Sequence, residues 1–407
     1  MFARASGLLL HVTSLPGGRL GPEADRFVDF LAAAGQKWWQ LLPVGPPGYG
    51  GSPYAALSAF AGNEDFAPGT DTPAERPVPP WLQDYARFRA LKEHFGGKPW
   101  WEWPENLPAD PDTRTWIEAQ WRFDDAWSAL RRRARDAGVQ LLGDLPLFVA
   151  KDSADVWAHR DLFDLDHVAG VPPDYFNEEG QLWGNPQYAW DAHAGSDYAW
   201  WAARVERQFE LFDAVRIDHF LGLHRTWSIP AHEDSAKNGT WQPAPGAAIL
   251  EAIGKRALVA ENLGVVTPEA EALRARFGIP GMHVLQFSFG EDRRDRPFWF
   301  DERAVVYTGT HDNDTTRSWS DEPDAARAQR YLGCAREELP EAMLRLAWMS
   351  RPDLAIAPVQ DLLGLDATAR MNAPGTTDGN WDWKLRPGQL TDEHAAALRA
   401  LTEEAGR

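Results

Sequence analysis

Eight short apolar runs, spread over the whole chain and separated in most places by helical patterns, constrain the fold more than any other feature. They fall at residues 8–12, 38–42, 139–142, 214–218, 257–261, 283–287, 304–308 and 354–358. Between them, residues 22–34 place Phe27, Phe30, Leu31 and Ala34 on one helical face and stop at Gly35. Thr267 reads as an N-cap, with Pro268 at the first helical position and Glu269 and Glu271 near the positive end of the helix dipole. Residues 121–137 form a further helical pattern that ends at Gly138, and 391–405 read as a closing helix. Strands alternating with helices imply a parallel sheet, and eight of them imply closure. The expected fold is therefore α/β, a (β/α)8 TIM barrel.

Three of the runs end in an acid: Asp218 after Ala214-Val215-Arg216-Ile217, Glu261 after Leu258-Val259-Ala260, and Asp312 shortly after Ala304-Val305-Val306-Tyr307. A buried parallel strand has no reason to finish in a carboxylate except where it emerges into a site, and a barrel gathers such strand ends on one rim. A single acid after a strand is most often a cap or turn former; three together point to chemistry. Retaining glycoside chemistry needs a carboxylate nucleophile about 5 Å from a second carboxyl group that starts protonated. Asp218 and Glu261 would be neighbours on the rim. Arg216 shares the face of Asp218 through the two-residue period of a strand and would hold it ionised. Asp312, beside His311, would bind hydroxyls and push the Glu261 carboxyl up, as a general acid requires.

The spacing of the strands is uneven. Residues 43–138 and 145–213 follow strand ends, so they are expected to rise over the C-terminal rim as insert subdomains on one catalytic domain spanning 1–407. After the eighth run about fifty residues remain, too few for a C-terminal β-sandwich. The net charge of −19 argues against a nucleic-acid partner. No apolar run approaches the roughly 20 residues of a membrane helix. A single cysteine, Cys334, and no signal-peptide core leave a cytoplasmic chain as the expectation. None of the 11 histidines forms His-x-His, and Asp312-Asn313-Asp314 lacks the glycine and distal glutamate of a calcium loop, so neither metal nor other cofactor is expected. Gly45 to Ser52 has no Lys before Ser52 and loses amide donors to two prolines, which argues against a phosphate loop. The 21 tryptophans offer flat apolar faces with a polar edge, and those not spent on packing suit pyranose rings.

Denser motifs carry a resemblance. Ser6-Gly7 through His11 with Thr13-Ser14-Leu15-Pro16, Trp39-Gln40-Leu41-Leu42-Pro43, Ser52-Pro53-Tyr54 and Ser58 to Asn63 open the chain. Gly143-Asp144-Leu145-Pro146, Ser153 to Trp157, Gly170 to Phe176 and Trp183-Gly184-Asn185-Pro186 follow. Arg216-Ile217-Asp218-His219-Phe220, Ala260 to Gly264, Tyr307 to Thr315 and Arg370-Met371-Asn372 complete the set. Together, nearly end to end, these blocks resemble the 4-α-glucanotransferases, the amylomaltase or disproportionating-enzyme family related to the α-amylases. The resemblance implies transfer of an α-1,4-glucan segment from an oligosaccharide or polysaccharide to glucose, maltose or another glucan, through a covalent intermediate. It implies Asp218 as nucleophile, Glu261 as acid and then base, and Asp312 as transition-state stabiliser. Arg216, His311, Asp144, Ser52 and Tyr54 would line the sugar subsite at the scissile bond, and Asn372 would also bind substrate. Tyr175, Phe176, Trp183 and Asn185 would belong to a loop over the groove, and Phe287 to the acceptor side.

Two departures from the family stand out. The chain is shorter than typical members, mainly between Asn63 and Asp144, and it reads Glu261-Asn262-Leu263 where Glu-Asp-Leu is commoner. Loss of a negative charge at Asn262 would lower the Glu261 carboxyl slightly. An α-glucan hydrolase with the same acids, and a catalytically idle glucan-binding barrel, are the alternative readings.

Overall fold

The computed structural model describes residues 2–67, 69, 71–173, 178–290, 296–376 and 378–407. Eight parallel strands form one sheet: β1 (Ala5–Leu9), β2 (Trp38–Gln40), β3 (Gln140–Leu145), β6 (Ala214–Ile217), β9 (Leu258–Ala260), β10 (Gly281–Val284), β11 (Ala304–Tyr307) and β12 (Leu354–Pro358). Their order, β10-β11-β12-β1-β2-β3-β6-β9, follows the chain around a cylinder. The two ends of the sheet meet where Ala260 N donates to Pro280 O at 2.8 Å. All eight expected runs are thus strands of one barrel. The first sits three residues earlier than the apolar pattern suggested, because Leu10 and Val12 are buried beyond the strand end.

Period-two alternation fills the barrel with Ala5, Leu9, Trp38, Leu142, Ala214, Val259, Met282, Val284, Val305, Tyr307, Leu354 and Ile356. The same inward series continues upward into polar groups. Leu142 is followed two residues on by Asp144, Ala214 by Arg216 and Asp218, and Val259 by Glu261. The apolar floor therefore hands over to charge at the carboxyl ends of adjacent strands β3, β6 and β9, which pair in register. On the other face of β3, Gly143 lets Phe212 pack against the outside of the barrel, since a Cβ there would lie 2.3 Å from the Phe212 ring.

The outer layer follows the expected caps and faces. Helix Pro22–Ala33 buries Ala24, Phe27, Val28 and Leu31, and Gly35 leaves it with φ of 75°. Each large apolar side chain so buried contributes about 1.5–3 kcal/mol. Thr267 caps helix Pro268–Arg276 by accepting from Ala270 N, and Thr391 caps Asp392–Glu404. Above the rim, β4 (Phe163–Val171) and β5 (Gln181–Tyr188) form a second, antiparallel sheet with β7 (Arg225–Pro230) and β8 (Thr240–Pro243). Nothing in the residue pattern marked the segments beyond β6 as members of that sheet. No helix among the described residues is long and apolar enough to cross a membrane.

Candidate active site

Arg216 is the hub of the rim. Its side chain is buried, and Nη1 donates to both oxygens of Asp144 at 2.7 and 2.6 Å. Nη2 lies 3.2 Å from Asp218 Oδ1 and 3.3 Å from Glu261 Oε2. One cation thus touches three carboxylates brought by three neighbouring strands. Tyr54 donates its hydroxyl to Asp144 Oδ2 at 2.7 Å. Burial, and then the Asp144 charge, push the Tyr54 hydroxyl well above its ordinary range, so it remains a donor. The backbone turns sharply after β6: His219 adopts a left-handed conformation with φ of 48°, uncommon outside glycine, and its amide thereby donates to Glu261 Oε2.

Asp312 arrives on the loop after β11. Asn372 Nδ2 donates to its Oδ1 at 2.7 Å, His311 Nε2 lies 3.3 Å away, and Arg370 Nη2 holds its carbonyl at 2.8 Å. The Tyr54 and His311 rings stack at 5.1 Å and 13°, with Trp381 tilted against both. Trp381 is itself held at φ of 66°. Tyr54 lies close enough to Asp218 and Asp312 for both charges to act on it, which ties the two halves of the site together. Beyond this aromatic wall a cleft of about 420 Å3 opens, lined among others by His11, Thr13, Asn63, Asp378, Trp381 and Lys384.

The two central acids differ from the sequence expectation. Burial, and then repulsion from Glu261, raise Asp218 well above the ordinary carboxyl range despite the pull of Arg216. Burial alone would raise Glu261 too, but Arg216 and the His219 amide outweigh it and leave Glu261 lowered. Repulsion between the two carboxyls thus falls on Asp218, while the cation and the amide act on Glu261. Glu261 is therefore not the raised group that the three acids alone suggested. The reason is geometric: Arg216 and an amide donor face its Oε2, and neither is visible as a neighbour in the sequence.

A barrel rim with this constellation has counterparts. The 4-alpha-glucanotransferase family matches residues 10–70 and 77–391. The chain belongs to this family. A 4-alpha-glucanotransferase of Thermus thermophilus is 42% identical over 497 aligned positions, covering 99% of each chain. One from Synechocystis is 39% identical, covering 99% of this chain and 98% of its own. Among solved structures, amylomaltase from Streptococcus agalactiae in complex with acarbose superposes with a TM-score of 0.91 at 34% identity, covering 99% of each chain. The family match breaks at residues 71–76, inside the region where this 4-alpha-glucanotransferase family member was expected to be short.

The other residues singled out from the family pattern fall at varied places. Ser52 Oγ caps the turn Pro53–Ala55 by accepting from Tyr54 N at 3.2 Å, and so sets the tyrosine's approach. Trp183, on β5, meets the His219 ring edge-on at 5.0 Å and is 36% exposed. Asn185 donates to Val149 O at 2.8 Å, tying β5 to the loop after β3. Phe287 stands exposed on the turn after β10. Tyr175 and Phe176 lie outside the described residues. Asn262 bonds to Glu271 and to Met282 N, not to Glu261. Sequence reasoning did not single out His219, Arg370, Trp381 or Asp361 as site residues. Asp361 is buried after β12 and accepts from Thr308 Oγ1 and from Thr316 N, pinning both ends of the loop that carries His311 and Asp312. Its signal was an acid close behind the eighth apolar run.

Proposed function

We infer that this chain transfers a segment of α-1,4-glucan to the 4-hydroxyl of glucose, maltose or another α-1,4-glucan, with retention of configuration. The observation that carries the reading is the single nitrogen, Arg216 Nη2, in contact with both Asp218 and Glu261. Two oxygens touching one nitrogen can be no farther apart than the contacts laid end to end, about 6.5 Å. That bound takes in the about 5–5.5 Å of a retaining pair and reaches only the lowest edge of the about 6.5–9.5 Å that an inverting pair spans.

In this reading Asp218 is the nucleophile, Glu261 the acid and then base, and Asp312 grips donor hydroxyls together with Asn372 and His311. The reaction needs Asp218 ionised and Glu261 protonated when a glycosidic oxygen docks beside Glu261. Glu261 then protonates the leaving oxygen as Asp218 Oδ attacks the anomeric carbon. The covalent glucosyl ester forms, and the released glucan leaves with a new hydroxyl. An acceptor 4-hydroxyl, deprotonated by Glu261, reverses the sequence. Trp183, Tyr175, Phe176 and Phe287 would shield and stack the sugars, and the cleft beside Trp381 gives a longer chain somewhere to lie. A cytoplasmic setting belongs to the same reading, supported by the single cysteine.

Incubation with maltotriose tests the reading directly. Redistribution into longer and shorter glucans, with glucose as co-product and a maltosyl adduct on the Asp218 peptide by mass spectrometry, is the expected result. Hydrolysis to glucose and maltose alone, or an adduct on another residue, would overturn it.

A further inference from the structure

Three tryptophans cluster at 100, 101 and 103, and two of them are spent on packing. Trp103 meets the rings of Phe88 and Trp157 at 5.6 and 6.0 Å. Trp100 is buried, with the Arg160 guanidinium 4.4 Å from its ring, and donates Nε1 to Lys151 O at 2.6 Å. Its amide donates to Asp152 Oδ1 at 3.4 Å, while Lys92 Nζ holds the other Asp152 oxygen at 2.5 Å. The turn Trp100–Glu102 is thereby fastened to the loop that follows β3. Trp101, between the two anchors, is 47% exposed. Lys151 Nζ stands 5.0 Å from its ring, and the neighbouring Glu102 is exposed. Among the described residues, Trp101 Nε1, the Lys151 ammonium and the Glu102 carboxylate have no hydrogen-bond or ion-pair partner.

The loop after β3 also joins this turn to the catalytic rim. Three residues before Lys151 it carries Phe148, whose ring meets Trp183 at 6.1 Å. Trp183 in turn meets His219, which follows Asp218 in the chain, edge-on at 5.0 Å. A line of rings on one firmly held loop thus runs outward from the rim to Trp101. We propose that Trp101 is the centre of a distal binding site for long α-1,4-glucans, taking a glucose unit several units away from the bond that reacts. The indole offers an apolar face, while Lys151 and Trp101 Nε1 supply donors and Glu102 an acceptor for the hydroxyls around it, which is the combination a pyranose ring asks for. Because the backbone of the turn is anchored before any sugar arrives, little ordering is left to oppose binding. Long glucans make this contact and a trisaccharide held at Asp218 does not, so the site sorts donors by length.

The inference rests on the proposed function for the nature of the ligand, so binding is measured apart from turnover. Affinity electrophoresis in gels containing amylose compares D218N with D218N/W101A. The added W101A is expected to weaken amylose binding about three- to tenfold, the loss of one aromatic contact, and W101F to keep most of it. In the active chain, W101A raises the ratio of the amylose KM to the maltotriose KM by a similar factor. Equal retardation of D218N and D218N/W101A overturns the assignment. So does an equal loss on amylose and maltotriose, which marks Trp101 as a support of the fold. Should W101A not fold, K151M reads the same site through the neighbouring ammonium: weaker amylose binding is expected, and unchanged binding overturns it. A wild-type chain that is retarded by amylose but redistributes no maltotriose removes the proposed activity and leaves Trp101 to be judged by the gel. Wild-type transfer beside an unmoved KM ratio in W101A removes the Trp101 assignment alone.

Discussion

Arg216→Met removes the one cation on which three carboxylates depend, and its consequences can be worked out separately for stability and for turnover. Asp144 has a fully buried side chain and would keep only the Tyr54 hydroxyl as a partner. Breaking a buried ion pair by removing one partner costs about 3–5 kcal/mol, because the remaining charge is left uncompensated. Set against a total stability of about 5–15 kcal/mol, that is a large fraction. The loss depends on pH in a definite sense. A carboxyl stranded in the core without its cation is easier to protonate folded than unfolded, so the penalty is full at alkaline pH and shrinks as pH falls through the folded-state value. Turnover suffers for another reason: Asp218, already raised with Arg216 present, rises further and stays neutral. A preorganised charge at a reacting centre is worth about 10²–10³ in kcat, and a comparable loss is expected. Urea unfolding at pH 8 and pH 5.5, with kcat on maltotriose at both, measures the two effects. A stability deficit that is absent at pH 8, or that grows on acidification, refutes the electrostatic account. R216M/D144N serves as control, since replacing the stranded charge should recover much of the stability and none of the turnover.

Other outcomes follow from the same geometry. Asp218→Asn should abolish transfer yet stabilise the fold at alkaline pH: the folded-state Asp218 is raised, so its cost is full above the folded value, shrinks as pH falls below it, and is gone only below the ordinary carboxyl range of the unfolded chain. Thermal melts showing D218N no more stable than wild type at pH 9 contradict this. Trp183→Ala takes away the ring that meets His219 edge-on, and should raise donor KM several-fold with a smaller change in kcat, since the contact is a wall and not a proton path. Steady-state kinetics showing kcat reduced at constant KM would instead tie Trp183 to the His219 turn.

The number of strands, their parallel order and the identity of the charged rim were all legible in the order of the residues. Those features are written in local chemistry. Apolar β-branched runs such as Ala214 to Ile217 have one stable use, and an inward period of two carries Leu142 to Asp144, Ala214 to Arg216 and Val259 to Glu261 whatever the surrounding loops do. Caps such as Thr267 were legible for the same reason, being settled within four residues. Every property set by groups distant along the chain had to wait for the folded molecule. Asp144 and Arg216 are 72 residues apart yet share two hydrogen bonds, and Glu261 is lowered by Arg216 on β6 and by the His219 amide in the turn just after it. The small rim sheet draws β7 and β8 from beyond the barrel strand that precedes them, because antiparallel pairing rewards proximity in space and is blind to chain order. Asn262 makes the contrast plain. In the sequence it is a missing charge beside an acid; in the fold its amide is bonded to Glu271 and, across the barrel seam, to the main chain at Met282.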